Sequence, residues 1–453
     1  MSSVTELMQR ARAAQKIAEG YTQEQVDVLV RAIGKFVYDN AEDLAKRAVE
    51  ESGMGVYEDK VAKCLGKSKN IWNSLKGKKS VGIIEENEET GILKVAKPKG
   101  VVAAITPVTN PVVTPMCNAM FAIKGRNAII IAPHPKTKKV NWYLVEQFRK
   151  ILTELGAPED LIQTVEDPSV DLSSELMKAA DTVIATGGAG MVKSAYSSGK
   201  PALGVGPGNV QVIVDRDVDK EEAAKKIIAG RIFDNGIICS GEQSIIAHRD
   251  DYSELMDLFV KNGAYYIDDK EKIAAFREAV FPGGGAISRK VVGQSVQKVA
   301  EIAGVEVPEG TRVIILGVDA VGAKEALCKE KMCPILVGIK YDSFEEAVSI
   351  AKENLLVEGA GHTTAIHSDD LEHIRYAGEQ LPISRLIVNQ PSSTNAGGSM
   401  LNGFSPTTTL GCGSWGNNSI SENLNYTHLI NISQIGLLRK NVVIPTDEEI
   451  WGE

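Results

Sequence analysis

The sequence contains no long hydrophobic run, and this absence narrows the kinds of protein it can encode. No apolar stretch approaches the roughly 20 residues that a transmembrane helix requires. The N-terminal region also lacks the apolar core of a secretory signal peptide. We therefore expect a cytoplasmic protein without a membrane partner.

The sequence also has fewer basic than acidic residues. The 50 Lys and Arg residues are outnumbered by 59 Asp and Glu residues, which gives a formal net charge of −9 at pH 7. A general nucleic-acid binder needs a strongly basic surface, so this balance argues against a nucleic-acid partner. The 453 residues are 43% hydrophobic, which is enough for a sizeable core and predicts about two or three structural domains.

Cysteine is sparse and scattered. The six cysteines lie at positions 64, 117, 239, 328, 333 and 412, and no two form a CxxC pair. This spacing argues against a disulfide framework and against a zinc site, so we predict no bound metal. Cys239 differs from the others because it ends the short apolar run Gly236-Ile-Ile-Cys and precedes small and polar residues. Without further context, such a cysteine is more often buried and inert than reactive.

Helical and strand-like segments alternate along the chain. Residues 22 to about 50 begin with a capping box, Thr22 and Gln25, and continue with the apolar spacing of an amphipathic helix. Further on, short β-branched runs separated by helical stretches predict two α/β domains with parallel-rich sheets. The predicted strands cover residues 101–105, 128–131, 182–185 and 210–214, and then 244–247, 313–316, 335–339, 364–367 and 386–389.

Two glycine-rich turns adjoin these strands, at the positions where open parallel sheets place their ligands. Residues 187–190 follow a strand and precede a predicted helix, whose N-terminus can present N–H groups to a phosphate. They lack the full G-x-G-x-x-G spacing, so a tight structural turn explains them as well as a cofactor site does. Residues 204–209, Gly-Val-Gly-Pro-Gly-Asn, predict a close approach by a ligand or a neighbouring chain.

Taken in order, these motifs resemble the aldehyde dehydrogenase superfamily over nearly the whole chain. Thr106-Pro-Val-Thr-Asn-Pro is similar to the segment that carries the family's oxyanion-stabilising Asn. Ala132-Pro-His-Pro-Lys is similar to the loop that contacts the adenosine half of NAD(P), and Thr186-Gly-Gly-Ala-Gly to the cofactor loop. The stretch around Cys239 is similar to the nucleophile segment, and Lys329-Glu-Lys-Met-Cys-Pro to the segment whose Glu holds the nicotinamide ribose.

This resemblance implies roles for individual residues. Cys239 becomes the nucleophile, and Asn110 with the Cys239 N–H becomes the oxyanion donor pair. Asn110 is equally compatible with a simple Asn-Pro turn, and Glu330 with a solvated charged run. His362, which is flanked by a glycine, is a candidate acid or substrate contact, with a structural histidine as the alternative. The candidate cofactor residues are Thr106, Pro107, His134, Pro135, Lys136, Thr186, Gly187, Gly188, Gly190, Val205, Gly206 and Glu330.

One departure from the usual family pattern indicates the subclass. Hydrolytic members carry a water-activating Glu at the position that matches Gly204, and the whole-chain pattern resembles the coenzyme A-acylating branch. The resemblance implies the reversible, NAD(P)H-dependent reduction of an acyl-CoA to an aldehyde through a thioester on Cys239. NADP or NAD is the implied cofactor, and coenzyme A is the co-substrate. From the residues alone, a cofactor-free cysteine acyltransferase or hydrolase and a non-catalytic binding protein stay open.

The resemblance implies a succinyl acyl group, with acetyl and butyryl as alternatives. The distal carboxylate of a succinyl group would need a donor-rich pocket, because an unpaired buried charge is costly. The candidates for this pocket are Ser392, Ser393, Asn395, the Thr407–Thr409 run including Thr408, His362 and Arg385. For Arg385 the alternative is a surface residue beside a strand.

The resemblance also implies a domain division. The dinucleotide-binding domain is predicted at residues 1–80 and 98–230, and the catalytic domain at 231–425. An oligomerisation hairpin and C-terminal arm are predicted at 81–97 and 426–453, with strand-like residues at 429–432 and 441–444. Exposed strand edges require partners, so we expect a homodimer or a dimer-based tetramer.

Overall fold

The computed structural model describes residues 3–440 and 442–452. Its strands are β1 (Gly82–Asn87), β2 (Ile92–Pro98), β3 (Val101–Ile105), β4 (Ala128–Ala132), β5 (Ile162–Thr164), β6 (Thr182–Thr186), β7 (Ala202–Val205), β8 (Val210–Val214), β9 (Glu242–His248), β10 (Ala264–Ile267), β11 (Val313–Gly317), β12 (Ile335–Tyr341), β13 (Gly361–His367), β14 (Ile383–Val388) and β15 (Ile430–Gly436). Its helices are α1 (Val4–Ala18), α2 (Gln23–Asp39), α3 (Ala41–Ser52), α4 (Tyr57–Leu75), α5 (Val113–Lys124), α6 (Lys138–Glu154), α7 (Val170–Ala179), α8 (Ala189–Tyr196), α9 (Lys220–Ile232), α10 (Tyr252–Lys261), α11 (Lys270–Val280), α12 (Val296–Ala303), α13 (Phe344–Val357), α14 (Leu371–Gln380), α15 (Ser392–Asn395) and α16 (Asp447–Trp451). All nine strands predicted for the two α/β domains are present.

The first domain contains a five-stranded parallel sheet with the order β5-β4-β3-β6-β7. Strands β3 and β4 are apolar along their whole length and completely buried, because helices α1, α5 and α7 contact the sheet. The chain order runs from β3 to β5 in one direction and returns to β6 and β7 on the other side. This reversal between β3 and β6 opens a crevice at the carboxyl ends of these strands.

The second domain contains a seven-stranded parallel sheet with the order β10-β11-β12-β9-β8-β13-β14. Alternate residues of its strands point to opposite faces and enter two separate cores. Ile213 and Ile246 pack into one core, and Val212 and Ile245 into the other. Both faces are therefore covered, which explains why these strands are continuous apolar runs rather than alternating ones.

The predicted domain boundary at residue 230 is wrong in one respect. Strand β8 pairs with β9 and β13, so residues 210–214 and the following helix α9 belong with the second sheet. The chain leaves the first sheet at Val205 and enters the second at Val210. The boundary therefore lies in the glycine-rich turn at residues 206–209, which links two strands of different sheets.

The predicted hairpin at residues 81–97 is present and forms part of a small antiparallel sheet. Strands β1 and β2 pair with each other, and β15 adds to β2, in the order β1-β2-β15. Residues 442–444 are not a strand, contrary to expectation, and Asn441 lies outside the described residues. Leu438 and Val443, which follow β15, are 87% and 89% exposed.

The helix predicted from residue 22 to about 50 is divided into α2 and α3 at Asn40. The Asn40 side chain donates to the Phe36 carbonyl at 2.9 Å, which caps α2 while the apolar spacing continues into α3. Among the described helices, none is both long enough and apolar enough to span a membrane.

Candidate active site

Cys239 follows a turn that a buried carboxylate anchors. Residues Phe233–Gly236 form a short helical segment in which Asp234 adopts a left-handed φ of 53°. The Asp234 side chain accepts the Val56 N–H at 2.8 Å, and its own N–H donates to Asp59 at 2.7 Å. These bonds tie the turn to helix α4 and fix the place of Cys239 just ahead of β9.

The second glycine-rich turn packs directly against this cysteine. A Cβ on Gly208 would lie 1.9 Å from the Cys239 carbonyl oxygen, so only glycine permits the approach. The Gly208 N–H donates to Oε1 of Glu330 at 3.3 Å, which brings that carboxyl to the same place. The close approach predicted at residues 204–209 is thus made by another segment of the same chain.

Burial makes Cys239 a weak acid in the free protein. Loss of solvation, followed by the neighbouring Glu330 carboxyl, raises the pKa of the Cys239 thiol to about 12. Loss of solvation, followed by Glu358, raises the pKa of Glu330 to about 8. At neutral pH the site therefore holds a neutral thiol beside a carboxyl that is mostly protonated.

Cys239 lines a cavity of about 350 Å³ between helix α4 and the segments around α15. Its walls also include Lys63, Lys67, Asn110, Ser393, Asn395 and Thr408. No Asp or Glu of the described chain lines it. The cavity therefore combines a thiol, amides, hydroxyls and ammonium groups and offers no carboxylate to repel an anionic substrate.

Some of the predicted polar substrate contacts line this cavity, and others do not. Ser393, Asn395 and Thr408 line the cavity. Ser392 does not line it, because its N–H donates to the buried Glu242 carboxyl at 2.5 Å and its side chain is fully buried. Ser392 therefore supports the loop from behind.

Arg385 lies beneath the site and not on the surface, so the alternative of a surface residue is wrong. The residue is 3% exposed. Its donors bind Thr363, Asn423 and the carbonyls of His362, Gly411 and Ser421. Because every guanidinium nitrogen already has a protein acceptor, Arg385 presents no free donor to a substrate carboxylate.

His362 is also buried behind the wall. Its Nδ1 pairs with the Thr363 hydroxyl at 2.9 Å, and its Nε2 has no partner in the described chain. Loss of solvation, followed by the Arg385 charge, lowers the pKa of His362 well below its usual value. The ring is therefore neutral at pH 7 and does not provide the cation that a carboxylate pocket would use.

Lys67, which the sequence did not single out, provides a cation at the cavity wall. Its Nζ donates to the carbonyls of Gly397 at 2.9 Å and Thr407 at 3.0 Å. Loss of solvation lowers the pKa of Lys67 to about 8, so it stays largely protonated at pH 7. Among the described residues no carboxylate forms an ion pair with Lys67. The lysine spacing 60, 63, 67 on one helix face was the sequence signal for it.

Asn110 follows β3, and its carboxamide contacts a second lysine of helix α4. Lys63 Nζ donates to Oδ1 of Asn110 at 3.1 Å. Asn110 also lines the cavity together with Cys239. The structure therefore brings the predicted oxyanion donor and the predicted nucleophile to one wall.

The predicted cofactor residues lie along the crevice of the five-stranded sheet. Strands β3, β4 and β6 end side by side, and they are followed by Thr106 and Pro107, by His134, Pro135 and Lys136, and by Thr186, Gly187, Gly188 and Gly190. A Cβ on Gly188 or Gly190 would meet no atom within 4 Å, and neither residue has a positive φ. Because packing does not require these glycines, the open space favours a ligand over a tight structural turn.

Gly204 has a packing reason that the sequence did not reveal. A Cβ at this position would lie 2.9 Å from both Tyr196 and Val192, so a side chain here would point at helix α8. The identity of residue 204 therefore does not decide whether the site has a water-activating base. The relevant observation is that no Asp or Glu of the described chain lines the cavity. Of its neighbours, Val205 is buried, and a Cβ on Gly206 would face open space.

The chain belongs to the aldehyde dehydrogenase family, because the sequence profile of the "Aldehyde dehydrogenase family" matches residues 1–271. It is 63% identical over 450 residues, 99% of each chain, to a "Succinate-semialdehyde dehydrogenase (acetylating)" of Clostridium kluyveri. Its fold is similar to an acetylating aldehyde dehydrogenase from Geobacillus thermoglucosidasius, with a TM-score of 0.93, 36% identity and 98% of each chain covered. A propionaldehyde dehydrogenase from Rhodopseudomonas palustris with bound CoA and an acylated cysteine gives a TM-score of 0.87 at 28% identity, covering 96% of this chain and 97% of that one. These findings confirm the predicted family and fold class.

Proposed function

We propose that this protein is a CoA-acylating aldehyde dehydrogenase whose substrate pair is succinyl-CoA and succinate semialdehyde. The balanced reaction is acyl-CoA, NAD(P)H and a proton giving aldehyde, CoA and NAD(P)⁺. The observation that carries the substrate choice is Lys67, an ammonium on the cavity wall without a carboxylate partner in the described chain. The curated relative with 63% identity is named for succinate semialdehyde, which agrees with this choice.

The chemistry begins at the Cys239 sulfur. In the reductive direction the Cys239 thiol gives up its proton and attacks the acyl-CoA carbonyl, the bond between the carbonyl carbon and the CoA sulfur breaks, and the acyl group is held as a thioester. The departing CoA thiolate takes up the proton that Cys239 gave up. Asn110 Nδ2 and the Cys239 N–H are the proposed donors to the oxygen that becomes negative in each tetrahedral adduct. Since the thiol pKa is raised to about 12 in the free protein, attack requires an environment that favours the thiolate more strongly.

The crevice of the five-stranded sheet fits a dinucleotide. The N-terminus of helix α8 has no side-chain cap, so its N–H groups are available to a phosphate. Thr106 and Lys136 lie at the ends of neighbouring strands where the adenosine half would bind. NAD(P)H supplies the hydride when bound, and Glu330, held beside Cys239 by the Gly208 N–H, is the candidate for the nicotinamide ribose.

Lys67 is the proposed partner of the distal succinyl carboxylate, in place of Arg385 and His362. A partly buried ammonium whose partners in the described chain are neutral carbonyls is stabilised by an incoming carboxylate. Ser393 lies on the same wall, and its hydroxyl, which has no partner among the described residues, can donate to the second carboxylate oxygen. An acetyl or butyryl group would leave the Lys67 charge unpaired.

A homodimer or dimer-based tetramer accompanies this proposal, as does a cytoplasmic location without a nucleic-acid or membrane partner. The small sheet β1-β2-β15 leaves β1 and β15 as open edges, and the arm that follows exposes Leu438, Val443 and Ile444. A monodisperse monomer in light scattering at micromolar concentration would contradict the assembly.

The substrate proposal is tested by kcat/KM for succinyl-CoA, butyryl-CoA and acetyl-CoA with NADH and with NADPH. A preference for succinyl-CoA is expected. A preference for butyryl-CoA or acetyl-CoA would overturn the dicarboxylate assignment while leaving the acylating chemistry intact.

A further inference from the structure

A buried charge cluster connects helix α4 with the turn that carries Cys239. Asp234 accepts from Lys60 at 3.0 Å and from Lys63 in a shorter contact. The exposed fractions of the Asp234, Lys60 and Lys63 side chains are 0%, 5% and 7%. Neither lysine is on the surface, so this is not a solvated ion pair of little consequence.

Lys63 has a second bond that Lys60 does not have. Besides Asp234, Lys63 donates to Oδ1 of Asn110 at 3.1 Å. Besides Asp234, Lys60 donates to the backbone carbonyl of Thr109 at 3.5 Å. An ammonium has donors and no acceptor, so it tolerates only the oxygen of a neighbouring carboxamide. If the Asn110 carboxamide flipped by about 180°, its NH₂ group would face the Lys63 ammonium. Both groups are donors, so neither would have an acceptor in this contact.

We propose that Lys63 is a positioning residue that orients the Asn110 carboxamide, so that Nδ2 is the group presented to the oxyanion on Cys239. Asp234 holds the Lys63 ammonium in place from the opposite side. This inference depends on the proposed oxyanion role of Asn110, and it deepens that role.

The position of Asp234 in the chain gives the arrangement a second effect. Asp234 lies in the same turn that leads to Cys239, and its N–H is tied to Asp59 of helix α4. One carboxylate therefore connects the nucleophile's turn to the residue that orients the oxyanion donor. This connection sets the distance between the attacking sulfur and the donor, which catalysis requires to be kept closely.

The test compares Lys63→Met with Lys60→Met as the matched control. Each variant removes one ammonium from Asp234 and leaves the other, but only Lys63→Met removes the bond to Asn110. The readout is the rate constant for Cys239 acylation, measured as CoA released in a single turnover without NAD(P)H. Lys63→Met should slow acylation by about 10²-fold, near the lower end of the 10²–10³ that loss of one oxyanion donor costs. Lys60→Met should retain a rate close to that of the unmodified protein.

A double-mutant cycle with Asn110→Ala separates orientation from general structural damage. In the Asn110→Ala background, Lys63→Met should have little further effect, because the group it orients is gone. Lys63→Gln, which keeps a neutral N–H donor, should retain more activity than Lys63→Met and takes its place if Lys63→Met does not fold. Full additivity of the two losses would overturn the inference.

A comparison of succinyl-CoA with butyryl-CoA distinguishes this positioning role from a second role that Lys63 could have on the cavity wall, namely binding the distal carboxylate of the substrate. An orienting residue acts on the adduct oxygen, so succinyl-CoA and butyryl-CoA should be affected equally, with KM little changed. A rise in KM confined to succinyl-CoA would make Lys63 a carboxylate ligand and overturn the inference. If Asn110→Ala itself leaves acylation unchanged, the proposed oxyanion role fails. If Asn110→Ala slows acylation and Lys63→Met does not, only the positioning role fails.

Discussion

Replacement of Lys67 by methionine tests the substrate assignment at a single side chain. Methionine keeps most of the length and apolar volume of the lysine stem and removes its charge. A hydrogen bond to a charged group contributes about 1.5–3 kcal/mol, and about 1.4 kcal/mol corresponds to a factor of ten. Lys67→Met should therefore lower kcat/KM for succinyl-CoA by roughly 10- to 150-fold relative to butyryl-CoA.

The ratio between the two substrates is the quantity to measure. Lys67 also holds the carbonyls of Gly397 and Thr407, so its loss should lower activity with every acyl-CoA, and the ratio cancels this common effect. Lys69→Met is the matched control, because Lys69 is exposed on the same helix and does not line the cavity. Initial rates of NAD(P)H oxidation give the two kcat/KM values. An unchanged succinyl-to-butyryl ratio in Lys67→Met would refute the assignment of the carboxylate to Lys67.

Three further results are expected. The preference for succinyl-CoA over butyryl-CoA should decline as pH rises through about 8, because the pKa of Lys67 is lowered to about 8 and its cation is lost above that value; a constant ratio up to pH 10 would contradict this. Alkylation of Cys239 by iodoacetamide should be slow at pH 7 and should accelerate about tenfold per pH unit, because its thiol pKa is raised to about 12; a plateau near neutral pH would show a preformed thiolate. Gly188→Leu should weaken NAD(P)H binding. It should leave the melting temperature and the single-turnover acylation by acyl-CoA unchanged, because a Cβ at this position meets no protein atom within 4 Å. An unchanged NAD(P)H affinity would remove Gly188 from the cofactor site.

Much of the fold could be predicted from local patterns. Strands such as β3 and β4 are continuous apolar runs between glycine-containing turns, and both were located within a residue of their observed bounds. The boundary at residue 230 was misplaced because β8 follows the strands of the first sheet in the sequence, and only its pairing with β9 and β13 shows that it belongs to the second sheet. The strand expected at residues 441–444 failed over its described part for a related reason, since β propensity does not specify a partner.

The sequence predicted those site residues whose type is required by the chemistry and whose neighbouring residues match a family motif. Cys239 and Asn110 lie on one wall as expected. Lys67 was missed because a lysine in a charged helix usually faces solvent, and its burial depends on contacts with Gly397 and Thr407 more than 300 residues away. Arg385 was misjudged for the converse reason, because its bonding partners lie in strand β13 and in residues 411–423, which meet it only in the folded chain.

The central claim is that Cys239 carries a thioester that CoA, and not water, removes. The cavity wall offers no carboxylate in the described chain, and the nearby Glu330, with a pKa raised to about 8, is mostly protonated at neutral pH. Loss of general-base assistance typically slows a step by about 10² to 10⁴. Hydrolysis of the thioester should therefore be slow, while hydride transfer, which does not need that base, should proceed.

The most direct measurement is a rapid-mixing experiment with succinate semialdehyde and NAD(P)⁺ in the absence of CoA. We expect a burst of NAD(P)H close to one equivalent per site, then a much slower phase that added CoA converts to steady turnover, with both absent in Cys239→Ala. Sustained turnover without CoA at the CoA-supported rate would contradict the account, because it would require an efficient water-activating base beside Cys239.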